Sequence, residues 1–304
     1  MDDRTSENPK VSEIVLNADG IVLSALLAEP PHDPAKAVVV ALHGAGMRAG
    51  YFHGQAHPEQ SLLSLGAKLG FAVLSVDRPG YGLSAARLPK GQGLTEQSAT
   101  LRAALADYAG RYSLGAGMFL LAHSYGGKLA LAAAADTHDD LLGLDLSGVG
   151  HRYAVDERLV TTSASRANWA THWGPLRLYP QGTFRSAAPL ISEVPARERE
   201  EAWDWPDRFP GIAARVRLPV RFTYAEHERW WCHDEASVAT MTGLLASPRV
   251  TVDRLSHAGH NISLGLAART YHLRALAFFE ECLTERTTLP DRGLISSHTS
   301  QEIE

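Results

Sequence analysis

Residues 118–135 read MFLLAHSYGGKLALAAAA, and the fold turns on this stretch. Met118–Ala122 is a short apolar run of the kind that fills a strand buried on both faces. Lys128–Ala135 is Ala-rich and suits a helix. Only His123-Ser124-Tyr125-Gly126-Gly127 is left to make the turn between them. A serine at so tight a strand-to-helix turn projects its hydroxyl outward, and it needs small neighbours because the backbone is crowded there. Gly126 and Gly127 give that room. The helix N-terminus also supplies backbone N–H groups that favour developing negative charge. Ser124 is therefore the candidate nucleophile.

Working outward, the same alternation recurs. Apolar runs at Ala37–Leu42, Phe71–Val76, Leu141–Leu146 and Leu218–Ala225 read as further buried strands, and Val250–Leu255 follows them. Between Gln97 and Tyr112, the spacing of Leu101, Leu105, Tyr108 and Tyr112 predicts an amphipathic helix. A long helical pattern runs from about Ser263 to Cys282. Strand–helix alternation of this kind implies an α/β fold with a doubly wound, mostly parallel sheet. Ile14–Leu16 and Ile21–Leu27, separated by Asn17-Ala18-Asp19-Gly20, predict an antiparallel hairpin at its start.

The alternation stops between residues 150 and 216. This stretch holds Trp169, Trp173, Trp203 and Trp205 and is rich in proline, as expected of a helical cap inserted into a core of residues 11–149 and 217–283. Residues 1–10 read as a disordered leader and 284–304 as a flexible tail.

Composition narrows the function. The chain has 304 residues, 45% of them hydrophobic, with net charge −5. No basic stripe suits nucleic acid, and no apolar run is long enough to span a membrane. The N-terminus has no signal-peptide pattern, so a cytoplasmic protein is expected. Cys232 and Cys282 form no metal or disulfide pattern. His227 and His233 lack a third ligand, and no phosphate-binding or dinucleotide-binding glycine motif follows the first strand. No metal and no cofactor are therefore expected, and the expected partner is a small-molecule substrate.

Over residues 11 to 282 the chain resembles the α/β-hydrolase family. Ala122-His123-Ser124-Tyr125-Gly126 resembles the family's G-x-S-x-G nucleophile turn, with Ala122 in place of the first glycine. His43-Gly44-Ala45-Gly46 resembles its oxyanion loop, which implies that the N–H groups of Ala45 and Tyr125 receive the oxyanion. His43 takes no proton-transfer role. Asp77-Arg78-Pro79-Gly80-Tyr81-Gly82-Leu83-Ser84 resembles a structural segment beside the nucleophile, so Asp77 is not the expected triad acid. After the Leu218–Ala225 run, Glu228 stands where many relatives carry the triad Asp; Glu226 is the rival, and Asp145 a third option. Ser256-His257-Ala258-Gly259-His260 resembles the Gly-His pair of the catalytic loop and selects His260 over His257. The order Ser124, Glu228, His260 is the family's order.

The resemblance implies a serine hydrolase cleaving an ester or thioester of a small hydrophobic acyl substrate through an acyl-enzyme. Trp169, Trp173 and Trp230 are the candidate substrate-binding residues. Arg48 is a candidate for meeting a substrate carboxylate, with a solvated surface role as the alternative. The alternative functions are acyl transfer, lyase or C–C cleavage chemistry on the same triad, or ligand binding without catalysis.

Overall fold

The computed structural model describes residues 9–31, 34–136, 140–161 and 169–288. The expected leader and tail lie mostly outside these residues.

Eight strands form one sheet: β1 (Val11–Ala18), β2 (Ile21–Ala28), β3 (Val38–Leu42), β4 (Ala72–Val76), β5 (Met118–His123), β6 (Leu141–Ser147), β7 (Val220–His227) and β8 (Val250–Gly259). Their order is β1-β2-β4-β3-β5-β6-β7-β8. β1 pairs antiparallel with β2, and β2 with β4; every other pairing is parallel. The opening hairpin is longer than the sequence suggested. Its turn is only Asp19-Gly20, both at positive φ, and Asn17 Oδ1 accepts the Gly20 N–H at 2.9 Å.

Side-chain period two explains why the central strands are apolar throughout. On β3, Val38, Val40 and Leu42 enter one core, and Val39 and Ala41 enter the other. On β5, Met118, Leu120 and Ala122 share the first core; Phe119 and Leu121 share the second. Helix α1 (Leu62–Lys68) covers the second face, and α2 (Leu94–Ala109) and α3 (Tyr125–Asp136) cover the first. Helix α2 begins three residues before the expected Gln97, because the Glu96 side chain reaches back to the Gly93 N–H at 2.9 Å and starts it there.

Between β6 and β7 lie α4 (Glu157–Thr161), α5 (Trp169–Trp173), α6 (Thr183–Ala187), α7 (Ala196–Glu201) and α8 (Trp205–Ala213). After β7 come α9 (Glu235–Gly243) and, after β8, α10 (Ala268–Thr288). Helix α10 returns to the second face through Tyr271, Leu276 and Phe279. It continues through residues 284–288, where the sequence suggested a tail, and a short 3-10 turn at Ile262–Leu264 precedes it.

Parallel strands deliver their following loops to one edge of the sheet, the usual place for a site in such folds. Ser124, Glu228 and His260 all stand just beyond the C-terminal ends of parallel strands, on β5, β7 and β8.

Candidate active site

Ser124 sits between β5 and α3 at φ 53°, a left-handed conformation that non-glycine residues adopt at a cost of about 1–2 kcal/mol. Its N–H donates to the Ser147 carbonyl at 2.8 Å, and its own carbonyl accepts the Gly127 N–H at 2.9 Å. Gly126 must be a glycine: a Cβ there would lie 2.3 Å from the Leu42 carbonyl oxygen. Ala122 is fully buried between β3 and β6, so its methyl is accommodated in the sheet.

His260 Nε2 lies 3.2 Å from Ser124 Oγ. Its Nδ1 lies 2.8 Å from Glu228 Oε2. The other Glu228 oxygen accepts the backbone N–H groups of Arg229 at 3.0 Å and Trp230 at 2.8 Å. These contacts fix the carboxylate. Burial pushes its pKa up, but the adjacent His260 and the Trp230 N–H outweigh burial and hold it below the usual carboxylate range. The chain reaches this position because β7 loses register between Ala225 and His227 and the Glu228 N–H closes back on the Ala225 carbonyl at 3.0 Å. The Gly259-His260 pair has a steric reason too. A Cβ on Gly259 would lie 2.3 Å from the Trp173 carbonyl oxygen, so α5 presses directly on the histidine loop.

The rival residues are engaged elsewhere. Glu226 is exposed and accepts the His257 N–H at 2.6 Å. Asp145 is buried in an ion pair with Arg221 and accepts the Tyr271 hydroxyl at 2.8 Å. Asp77 accepts the Ala49 N–H at 2.7 Å and the Ser24 hydroxyl at 2.6 Å. Arg48 is half exposed and leans on Asp77 at 3.4 Å. His43 Nε2 accepts the Arg78 N–H at 3.0 Å, and burial, followed by the Arg78 charge, drives its pKa well down.

The residue-44 loop runs against the serine: a Cβ on Gly44 would lie 3.1 Å from Ser124 Cβ. Ala45 and Tyr125 both line the cavity that opens over Ser124. As the first residue of α3, Tyr125 has no carbonyl one turn back within the helix to receive its N–H. The cavity measures about 620 Å³, ample for a small ligand. Trp169, Trp173 and Trp230 line it; Trp169 is exposed, and the other two are buried. Trp203 instead stacks on Tyr153, and the Trp205 indole N–H donates to the Gly150 carbonyl at 2.7 Å.

Three wall residues escaped the sequence reading. His172 of α5 has its ring 6.3 Å from that of His260 and 4.8 Å from that of Trp230. Burial, with the neighbouring His260, brings its pKa down to about 4. Glu198 of α7 forms a buried ion pair with Arg78 at 2.7 Å, accepts the Tyr81 hydroxyl at 2.8 Å and ties α7 to the sheet. Lys128 of α3 is buried at the cavity wall. Nothing periodic marks the first two, but Lys128 had a signal: it is the one charge in a run of otherwise apolar residues from Tyr125 to Ala135.

The fold defines an α/β-hydrolase. The family model described as "Serine aminopeptidase, S33" matches residues 33–204, more than half of the chain, and the chain belongs to that family. The matched stretch contains Ser124 and ends before Glu228 and His260. No curated protein shows significant sequence similarity to the chain. Among solved structures it is similar to 2-hydroxy-6-oxo-6-phenylhexa-2,4-dienoate hydrolase from Rhodococcus sp. strain RHA1, with TM-score 0.64, 16% identity, and coverage of 91% of this chain and 99% of that one. It is also similar to a monoacylglycerol lipase from Paleococcus ferrophilus, with TM-score 0.62, 17% identity, and coverage of 86% and 99%. A third is Est1E from Butyrivibrio proteoclasticus, with TM-score 0.58, 17% identity, and coverage of 90% and 99%. At these identities the likeness is one of fold. Among the described residues, no helix is long and apolar enough to cross a membrane.

Proposed function

We propose that the protein cleaves a carboxylic ester or thioester of a small, largely hydrophobic acyl substrate through a Ser124–His260–Glu228 triad and an acyl-enzyme. One observation carries the reading: a continuous chain of contacts, 3.2 Å from Ser124 Oγ to His260 and 2.8 Å from His260 to Glu228, opens onto a cavity lined by tryptophans.

His260 takes the Ser124 proton as Oγ bonds to the acyl carbon. Glu228 fixes the imidazole tautomer and stabilises its protonated form. The N–H groups of Ala45 and Tyr125 receive the oxyanion, and each such donor is worth roughly a hundredfold or more in rate. His260 then gives its proton to the departing alcohol or thiol. Water repeats the sequence to release the acid and restore Ser124. The segment between β6 and β7 serves as a cap, and Trp169, Trp173 and Trp230 contact the apolar part of the substrate.

A fluorophosphonate probe should label the wild-type protein and leave Ser124→Ala unlabelled. Persistent labelling of that variant at another residue overturns the assignment.

A further inference from the structure

Lys128, in the wall of the cavity over Ser124, takes no part in the proposed chemistry. Lys128 lies in the first turn of α3, four residues after Ser124, and both residues line the cavity. The lysine is only 3% exposed and forms part of the cavity wall. Its Nζ donates to the Tyr153 hydroxyl and, at 3.1 Å, to the Ala202 carbonyl. The rings of Tyr125, Tyr153, Trp205 and Trp231 lie 5.2, 4.9, 5.5 and 5.5 Å from it.

Every one of these neighbours is neutral. Among the described residues no carboxylate forms an ion pair with Lys128. Of the acids that act on it, Glu198 has the largest effect and Asp204 a smaller one; Arg208 and Arg78 oppose them. Glu198 is already committed, with its two oxygens 2.7 and 3.0 Å from the Arg78 guanidinium. Burial is the dominant influence and brings the ammonium down to about 7. Taking an ammonium out of water is expensive unless a counter-charge compensates it, and aromatic faces and two neutral acceptors offset only part of that cost. An ammonium also carries three N–H donors, of which two have partners here. A buried cation that lacks a counter-ion and borders a substrate-sized cavity is complementary to an anion arriving in that cavity.

We infer that Lys128 forms an anion subsite of the cavity and that the preferred substrate is an ester or thioester carrying a carboxylate. This rests on the hydrolase reading only for the position of the scissile bond. The carboxylate belongs either to the acyl part or to the leaving alcohol, and the two sources are separable by experiment.

The test compares p-nitrophenyl half-esters of dicarboxylic acids with neutral p-nitrophenyl esters of equal chain length. A parallel pair places the carboxylate on the alcohol. The quantity read is the ratio of kcat/KM for the charged ester to that for the neutral one, in wild type and in Lys128→Met. A general loss in the variant cancels in this ratio. The ratio should fall by about tenfold to a hundredfold in one of the two series, the scale of a charge-assisted hydrogen bond. That series identifies the source. An unchanged ratio in both series overturns the subsite.

Calorimetric binding of the carboxylate-bearing ester of each series to Ser124→Ala reads the subsite without chemistry, and one of the two should respond. The affinity should fall at least tenfold when Lys128→Met is added. If wild type cleaves no ester but this loss is seen, the hydrolase reading fails and the subsite stands. If Lys128→Met does not fold, Ser124→Ala alone suffices: binding at pH 8 should take up protons, because an anion beside Lys128 favours its charged form. Binding without proton uptake overturns the subsite.

Discussion

On β3, β5 and β6 every residue is buried, and on β3 and β5 consecutive apolar side chains feed alternate cores. The segment between β6 and β7 is built differently. Helix α4 buries nothing, α6 buries Thr183 and Ala187, and α7 buries Glu198. It meets the rest of the molecule through a few directed contacts, Glu198 on Arg78 and Lys128 on the Ala202 carbonyl at 3.1 Å, and through α8, whose Trp205, Phe209, Ile212 and Ala213 enter the first core. Dry packing is non-directional and tolerant, whereas a few polar contacts concentrate stability in single side chains. The sheet should therefore tolerate volume-conserving apolar swaps, and the insertion should be sensitive at a few polar side chains.

The largest effect is expected at the junction. Glu198→Ala leaves the Arg78 guanidinium buried without its counter-ion, a change that typically costs about 3–5 kcal/mol. Urea unfolding should show that loss. A change below about 1 kcal/mol would mean that the two regions are joined by something other than this pair.

Acid is a second weakness, and it acts on both regions, His172 of the insertion included. Burial lowers the pKa of His43, His123 and His272, the last to about 3. In the unfolded chain a histidine takes up a proton near pH 6.5, whereas these three resist it in the fold. Their contribution is therefore intact above about pH 6.5 and declines as the pH falls towards their folded values. At pH 5 the loss should be about 2 kcal/mol for His272, with His43 and His123 adding to it in the same direction. A Tm that stays level between pH 7 and pH 5 would contradict this.

The smallest effect should be a gain. Gly211 of α8 is exposed, and a Cβ there meets nothing within 4 Å. Gly211→Ala should stabilise by about 0.5–1 kcal/mol through helix propensity alone. A loss measured by thermal melting would show that the insertion is packed as tightly as the sheet.

The same contrast decides what could be read from the sequence. Runs such as Val38–Leu42 and Met118–Ala122 announce a buried parallel sheet by their apolar continuity, and the turn at Ser124 is forced by Gly126. Glu228 and His260 were legible because each follows directly on a strand. His172 and Glu198 were not: they reach the cavity from short helices whose placement depends on distant partners. The exact limits of β7 and α10 were also hidden, because the bulge after Ala225 and the 3-10 turn at Ile262–Leu264 are set by contacts across the site, such as Trp173 against Gly259.

The central claim is that Ser124 carries the acyl group between two half-reactions. Mass spectrometry of the wild-type protein, quenched in acid during turnover of an activated ester, should find the acyl mass on the peptide containing Ser124. An acyl group on any other residue, or turnover with no adduct on a Ser124 that remains reactive to fluorophosphonate, would contradict the account.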